Sequence, residues 1–140
     1  MIRRDWLQDQ IEQFGKVLGI IMAKFLGLKG EGLVTKGIEI TNEALKSKLD
    51  IDIDLLLEMS YEELPIYLEE RKVSALHLEQ LIDYLIAMGD HVIDSDPKDA
   101  KKIFAKTLEM YQIVDTTSTV FAMERVDKEK HIKTQLGRLQ

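Results

Sequence analysis

Three histidines, His77, His91 and His131, are the side chains of this 140-residue sequence that titrate nearest neutral pH and ligate metals most readily. None stands in the Glu-x-x-His or His-Glu-x-x-His spacing with which a helix presents a metal site. Asp90 and Asp94 are four residues apart and share one helical face, with His91 beside them and Asp83 two turns earlier. Two carboxylates and an imidazole supply fewer oxygens than a hard cation takes, so the cluster reads as the solvated acidic end of a helix, with His91 helping to satisfy the last carbonyls. Glu62, Glu63, Glu69 and Glu70 fit an exposed helix face better than an acid–base pair, which needs burial to separate its two pKa values. Ser60, Ser74 and Ser118 fall where helices should begin, and no Gly-x-Ser-x-Gly elbow is present. The run Gly27-Leu28-Lys29-Gly30-Glu31-Gly32 lacks the preceding strand and the Gly-Lys-Ser/Thr of a phosphate loop. There are no cysteines, hence no disulfides or thiolate metal ligands. No catalytic, cofactor-binding or metal-binding residue is assigned, and no cofactor is expected.

The aromatic residues point instead to protein contact. Trp6, Tyr61, Tyr67, Tyr84 and Tyr111 are of the types enriched where binding energy concentrates. Tyr84 and Tyr111 sit among apolar helical positions and read as core, with the hydroxyl at the edge. The candidate interaction surface is Trp6, Gln10, Val17, Tyr61 and Tyr67, with self-association through the first helix as one use of it.

Composition supports a folded domain long enough to bury a core: 45% of residues are hydrophobic and 31% charged. The formal net charge is −6 and unevenly distributed. Residues 39–70 carry ten acids against Lys46 and Lys48, a balance of −8, whereas residues 124–140 carry +2. A nucleic-acid binder needs a cationic surface to displace phosphate counterions, and no strong basic stripe exists. At the amino terminus Arg3 and Arg4 are followed by Asp5, Gln8, Asp9, Gln10 and Glu12, which break any secretory apolar core. The most apolar run, Val17 to Leu28, is interrupted by Lys24 and too short to span a bilayer. The expectation is a cytoplasmic chain with no membrane role.

Helical spacing recurs nearly everywhere. Leu7, Ile11, Phe14, Leu18, Ile21, Phe25 and Leu28 alternate steps of four and three, the seam of a packed helix, and Val17, Ile20 and Met22 widen it. Gly15 and Gly19, one turn apart, would admit a close neighbour, and the glycines from Gly30 end the helix. A second helix over Leu33 to Leu49 puts Val34, Ile38, Thr41, Leu45 and Leu49 inward. Asp50 to Asp54 reads as a connection and Leu55–Leu57 as a single turn. Ser60-Tyr61-Glu62-Glu63 matches a capping box, opening a short helix that Pro65 bends or delays. Ser74 caps a long helix ending near Ile93, with Leu78, Leu81, Ile82, Leu85, Ile86 and Met88 inward. Asp96 caps the next helix, with Pro97 at its first position and Ile103, Phe104, Leu108, Tyr111 and Val114 inward. Residues 115–119 should break it before a last helix from about Val120 to Leu136, with Phe121, Val126 and Ile132 inward.

The two hairpins share a pattern: Gly37, Thr41 and Ala44 in one second helix, Ala100, Phe104 and Thr107 in the other, small–larger–small at steps of four and three. That spacing resembles the tetratricopeptide repeat, the better match being Ala100 to Glu109. The resemblance is displaced elsewhere, with Gly89 one place late, His91 where tyrosine is common and Gln112 in place of the terminal proline. The full length is also similar to an uncharacterised bacterial family of small helical proteins with tetratricopeptide-like hairpins, through Arg4-Asp5-Trp6-Leu7 with Ile11-Glu12, the Ala100–Leu108 segment, and Phe121-Ala122-Met123-Glu124-Arg125. That family brings no assigned activity and no catalytic residue.

The expectation is therefore an all-α single domain of five to seven helices in antiparallel hairpins: a first hairpin over about 2–49, an acidic connection with short helices over 50–72, a second hairpin over 74–115 and a C-terminal helix over 118–138. Its expected role is a non-enzymatic protein-interaction or scaffolding module with a protein or peptide partner. The alternative is a small-ligand binder or enzyme with a pocket between the hairpins, using Asp83, Asp90, His91 or Asp94.

Overall fold

The computed structural model describes the backbone of residues 2–117 and 123–139, and the side chains of residues 6–114 and 125–139. Among the described residues there are seven helices and no strand: α1 Ile2–Gly30, α2 Val34–Leu49, α3 Ile53–Glu58, α4 Glu63–Glu70, α5 Ala75–Val92, α6 Pro97–Thr117 and α7 Met123–Arg138. They form two compact units, Met1–His77 and Leu78–Gln140, with the boundary in the first turn of α5. No described helix is long and apolar enough to cross a membrane.

In the first unit, α1 ends in a Schellman turn. Gly32 takes a left-handed φ of +80°, open to glycine at no steric cost. Its amide donates to the Lys29 carbonyl at 3.0 Å, and that of Leu33 to Leu28 at 2.9 Å. The chain then reverses into α2. Phe14, Leu18, Ile21 and Phe25 are buried on α1, Thr41 and Leu45 on α2. The glycine that brings the two helices together is Gly37, where a side chain would begin only 3.3 Å from the Phe25 ring. Of the two glycines expected to admit a close neighbour, Gly15 does so, against the His77 ring of α5, whereas Gly19 faces open space.

Residues 50–54 are only half connection. Asp52 accepts a hydrogen bond from the Leu55 amide at 3.2 Å and caps α3, so the helix starts inside the alternating stretch, with Ile51 and Ile53 buried. The capping box at Ser60 forms: its Oγ accepts from the Glu63 amide at 3.2 Å, and the Glu63 carboxylate accepts from the Ser60 amide at 3.4 Å. Pro65 falls in the first turn of α4, where a missing amide proton costs little.

In the second unit the amide of Asp99 donates to Asp96 at 3.2 Å, capping α6 with Pro97 at its first position. The α5–α6 hairpin closes on Gly89, which packs against the fully buried Phe104 ring. Helix α6 does not break at residue 115 but continues through Thr117, because threonine costs only tenths of a kcal/mol in a helix. Ile132 of α7 is buried, whereas Val126, expected inward, is exposed. Phe121 and the cap expected at Ser118 lie outside the described residues, as do the side chains of Arg4, Asp5 and residues 122–124.

Candidate interaction surface

On α1 the inward stripe of the first unit continues in unbroken register toward the amino terminus, since Leu7 and Ile11 precede Phe14 by two turns and one. The burial does not continue with it. Phe14, Leu18, Ile21 and Phe25 are at most 7% exposed, whereas Leu7 and Ile11 are 40% and 39% exposed, and Trp6 beside them is 56% exposed. Helix lengths account for this: 29 residues of α1 extend about 43 Å, and the 16 of α2 folded back on it about 24 Å. Gln10 and Val17 are half-buried along the edge of the same stripe, and the Gln10 Oε1 is enclosed.

The two tyrosines assigned to the surface separate. Tyr61 is exposed. Tyr67 is 7% exposed and leaves the candidate surface, because its hydroxyl is used within the unit. That oxygen accepts from the Asp52 amide at 2.9 Å and donates to the Asp50 carbonyl at 3.4 Å, while the Arg71 guanidinium stacks 3.6 Å from its ring. Arg71 also donates to the Asp50 carbonyl and pairs with the Asp50 carboxylate at 3.4 Å. Asp50 caps α2 in the left-handed conformation, so this cluster of Asp50, Asp52, Tyr67 and Arg71 fixes α3 and α4 to the end of α2.

His77 is the buried histidine. Its amide donates to Ser74 Oγ at 3.3 Å, completing the cap of α5, and its ring stacks on Phe14 with centroids 5.0 Å apart. Nε2 stands 2.8 Å from where a Gly15 side chain would begin, and the enclosed Nδ1 has no partner among the described residues. Burial lowers the pKa from its ordinary 6.5, because an enclosed imidazole loses the water that would solvate its charged form. The folded state thus holds the proton more weakly than the unfolded chain. Stability is full above pH 6.5 and is lost as the pH falls below it. Urea denaturation at pH 7.5, 6.0 and 5.0 should show wild type losing more stability on acidification than His77→Leu; parallel losses would exclude His77 as the cause.

The Asp90, His91, Asp94 cluster is drawn into a ladder between α5 and α7. Glu79 accepts from Arg125 at 2.6 Å, Asp83 pairs with Lys128 at 2.7 Å, Asp90 with His131 at 2.9 Å and with Gln135 at 2.9 Å, and Asp94 with Arg138 at 3.5 Å. The pairs advance in the same direction along both helices, so α5 and α7 run parallel, with α6 returning between them. His91 lies exposed in the last turn of α5. Tyr111 is buried behind the ladder, and burial, reinforced by Asp83, Glu79 and Glu129 and opposed by Arg125, raises its pKa far above the ordinary value. Among the described residues no three His, Asp or Glu side chains converge as metal ligands. Ser60 and Ser74 are both engaged as helix caps.

Set beside known protein families, proteins of curated function and solved structures, the chain matches none.

Proposed function

We propose that this chain is a protein-interaction module of tetratricopeptide-like hairpins, whose docking surface is the amino-terminal half of α1. The observation that supports it is the apolar stripe that outruns its own cover: Leu7 and Ile11 hold the register of the core yet stand in solvent beside Trp6. Apolar positions at i, i+3, i+4 and i+7 are what a helix offers to a partner helix, and a tryptophan at the edge is a frequent anchor. The acids that an enzyme reading would use, Asp83, Asp90 and Asp94, are occupied in holding α7 to α5. A protein or peptide helix in the cytoplasm is the proposed partner, and a second copy of the chain is one such helix.

Affinity capture with the tagged chain, run in parallel with Trp6→Ala and Ile11→Ser, tests this. Proteins recovered by wild type should be lost with both variants, and identical recovery would refute the docking surface. Light scattering after gel filtration decides self-association: a dimer that Trp6→Ala converts to monomer is expected if the second copy is the occupant, and a wild-type monomer rules that occupant out.

A further inference from the structure

A second surface, formed by residues other than those just proposed, lies on α4. The helix turns Leu64, Tyr67 and Leu68 inward and leaves Ile66 60% exposed. On a helix the neighbours of position 66 are the residues three and four away on either side, and all four are glutamates: Glu62, Glu63, Glu69 and Glu70. Glu62 already has helical dihedrals, φ −73° and ψ −34°, and the Leu64 amide bonds to the Ser60 carbonyl at 3.1 Å, so helical neighbourhood extends back to the first of them. The same segment exposes two further large apolar side chains, Leu55 on α3 and Tyr61 before α4. Between Leu49 and Glu70 the chain carries eight acids and no lysine or arginine.

An exposed isoleucine ringed by carboxylates makes no use of its position within the fold. Like charges at these spacings repel, at a few tenths of a kcal/mol per pair. Only part of that charge is answered internally: Glu63 is spent on the capping box, and Glu70 is 3.8 Å from Arg71. What relieves both the exposed apolar group and the uncompensated charge is a surface of opposite character, a row of lysines or arginines flanking an apolar anchor. We infer that the α3–α4 face docks a cationic amphipathic helix, with Ile66 seated among the partner's apolar side chains and Glu62, Glu69 and Glu70 meeting its basic flanks.

The probe is a fluorescein-labelled synthetic helix of leucine, lysine and alanine, with leucines at helical spacing flanked by lysines. One control replaces every lysine by glutamate, and another replaces every leucine by alanine. Fluorescence anisotropy should show the lysine–leucine helix binding, the glutamate helix not binding and the leucine-free helix binding at least tenfold more weakly. Ile66→Ser and the pair Glu62→Gln with Glu69→Gln should each weaken binding about tenfold or more, and added salt should weaken it further. Ile66 is solvent-exposed, so circular dichroism of Ile66→Ser should match wild type. Equal binding of the leucine-free helix, or full affinity in Ile66→Ser, would reduce the surface to diffuse charge and overturn the inference, as would no binding at all. Trp6→Ala should leave the affinity unchanged; loss there would place the probe on α1 and overturn the assignment to α4 while sparing the α1 proposal.

Discussion

Gly89→Ala is expected to destabilise the protein by about 2 kcal/mol, although alanine is the better helix former by about 1 kcal/mol. A methyl group at position 89 would begin 2.6 Å from Phe104 Cζ and 2.8 Å from Cε1, distances at which the ring must move. The ring has nowhere to go: Phe104 is fully buried, and so are Ala100, Ile103 and Thr107 on the same helix. Overpacking of this kind strains rotamers and spreads the helices, a cost of about 1–3 kcal/mol that outweighs the gain in propensity. Contrast comes from Gly19, another helical glycine but with nothing within 4 Å, where alanine should stabilise by up to about 1 kcal/mol. The decisive comparison is Gly89→Ala combined with Phe104→Leu. If the ring is the obstacle, the double variant is less destabilised than the sum of the two single changes in urea denaturation. Strict additivity would mean that Gly89 is constrained by something other than Phe104.

That contact illustrates what the sequence carried and what it did not. The spacing of Ala100, Phe104 and Thr107 was enough to place all three inward, because a period of 3.6 assigns faces within one helix. It does not say which residue on the partner helix meets the ring: the small positions it offers are Gly15 and Gly19, one turn apart, Gly37 in the small–larger–small pattern, and Gly89, one place late for the repeat. Those that close the hairpins are Gly37 against Phe25 and Gly89 against Phe104, pairs set by how two helices slide past each other. Helix starts were legible for the opposite reason. Ser60, Ser74 and Asp96 each bond an amide three residues on, so the whole signal lies within one turn.

The candidate surface divides in the same way. Leu7 and Ile11 belong to an apolar stripe whose existence is local information, but whether anything covers the stripe depends on the length of α2. The same is true of Val126, apolar and yet exposed. By residue type alone Tyr67 suits a surface anchor. Its hydroxyl is instead taken by the backbone of Asp50 and Asp52, 15 to 17 residues earlier, a partner no periodicity identifies. The spacing of Asp90 and Asp94 identifies a helical pair, but their bonding to His131, Gln135 and Arg138 spans more than 40 residues and depends on α7 lying parallel to α5.

The ladder leads to the other large effect, expected at Arg125. Among the ionic pairs of the described residues between α5 and α7, this is the most enclosed: the Arg125 side chain is 9% exposed, and both Nε and Nη2 donate to one Glu79 oxygen, at 2.8 and 2.6 Å. Arg125→Met keeps most of the apolar volume and removes the charge. It leaves Glu79 without its counter-ion near Asp83 and Glu129, which already oppose ionisation of Tyr111. A fully buried orphan carboxylate would cost about 3–5 kcal/mol, but Glu79 keeps about a third of its exposure, so a loss of about 2 kcal/mol is expected. Adding Glu79→Gln should recover most of that loss, since the unpaired charge rather than the missing bond carries the penalty. Lys128→Met, at a pair whose side chains are 37% and 50% exposed, should cost less than about 1 kcal/mol. Urea denaturation of wild type and these three variants separates the alternatives. If Arg125→Met and Lys128→Met cost the same, burial does not set the strength of the ladder, and α7 is held chiefly by Ile132 and its apolar contacts.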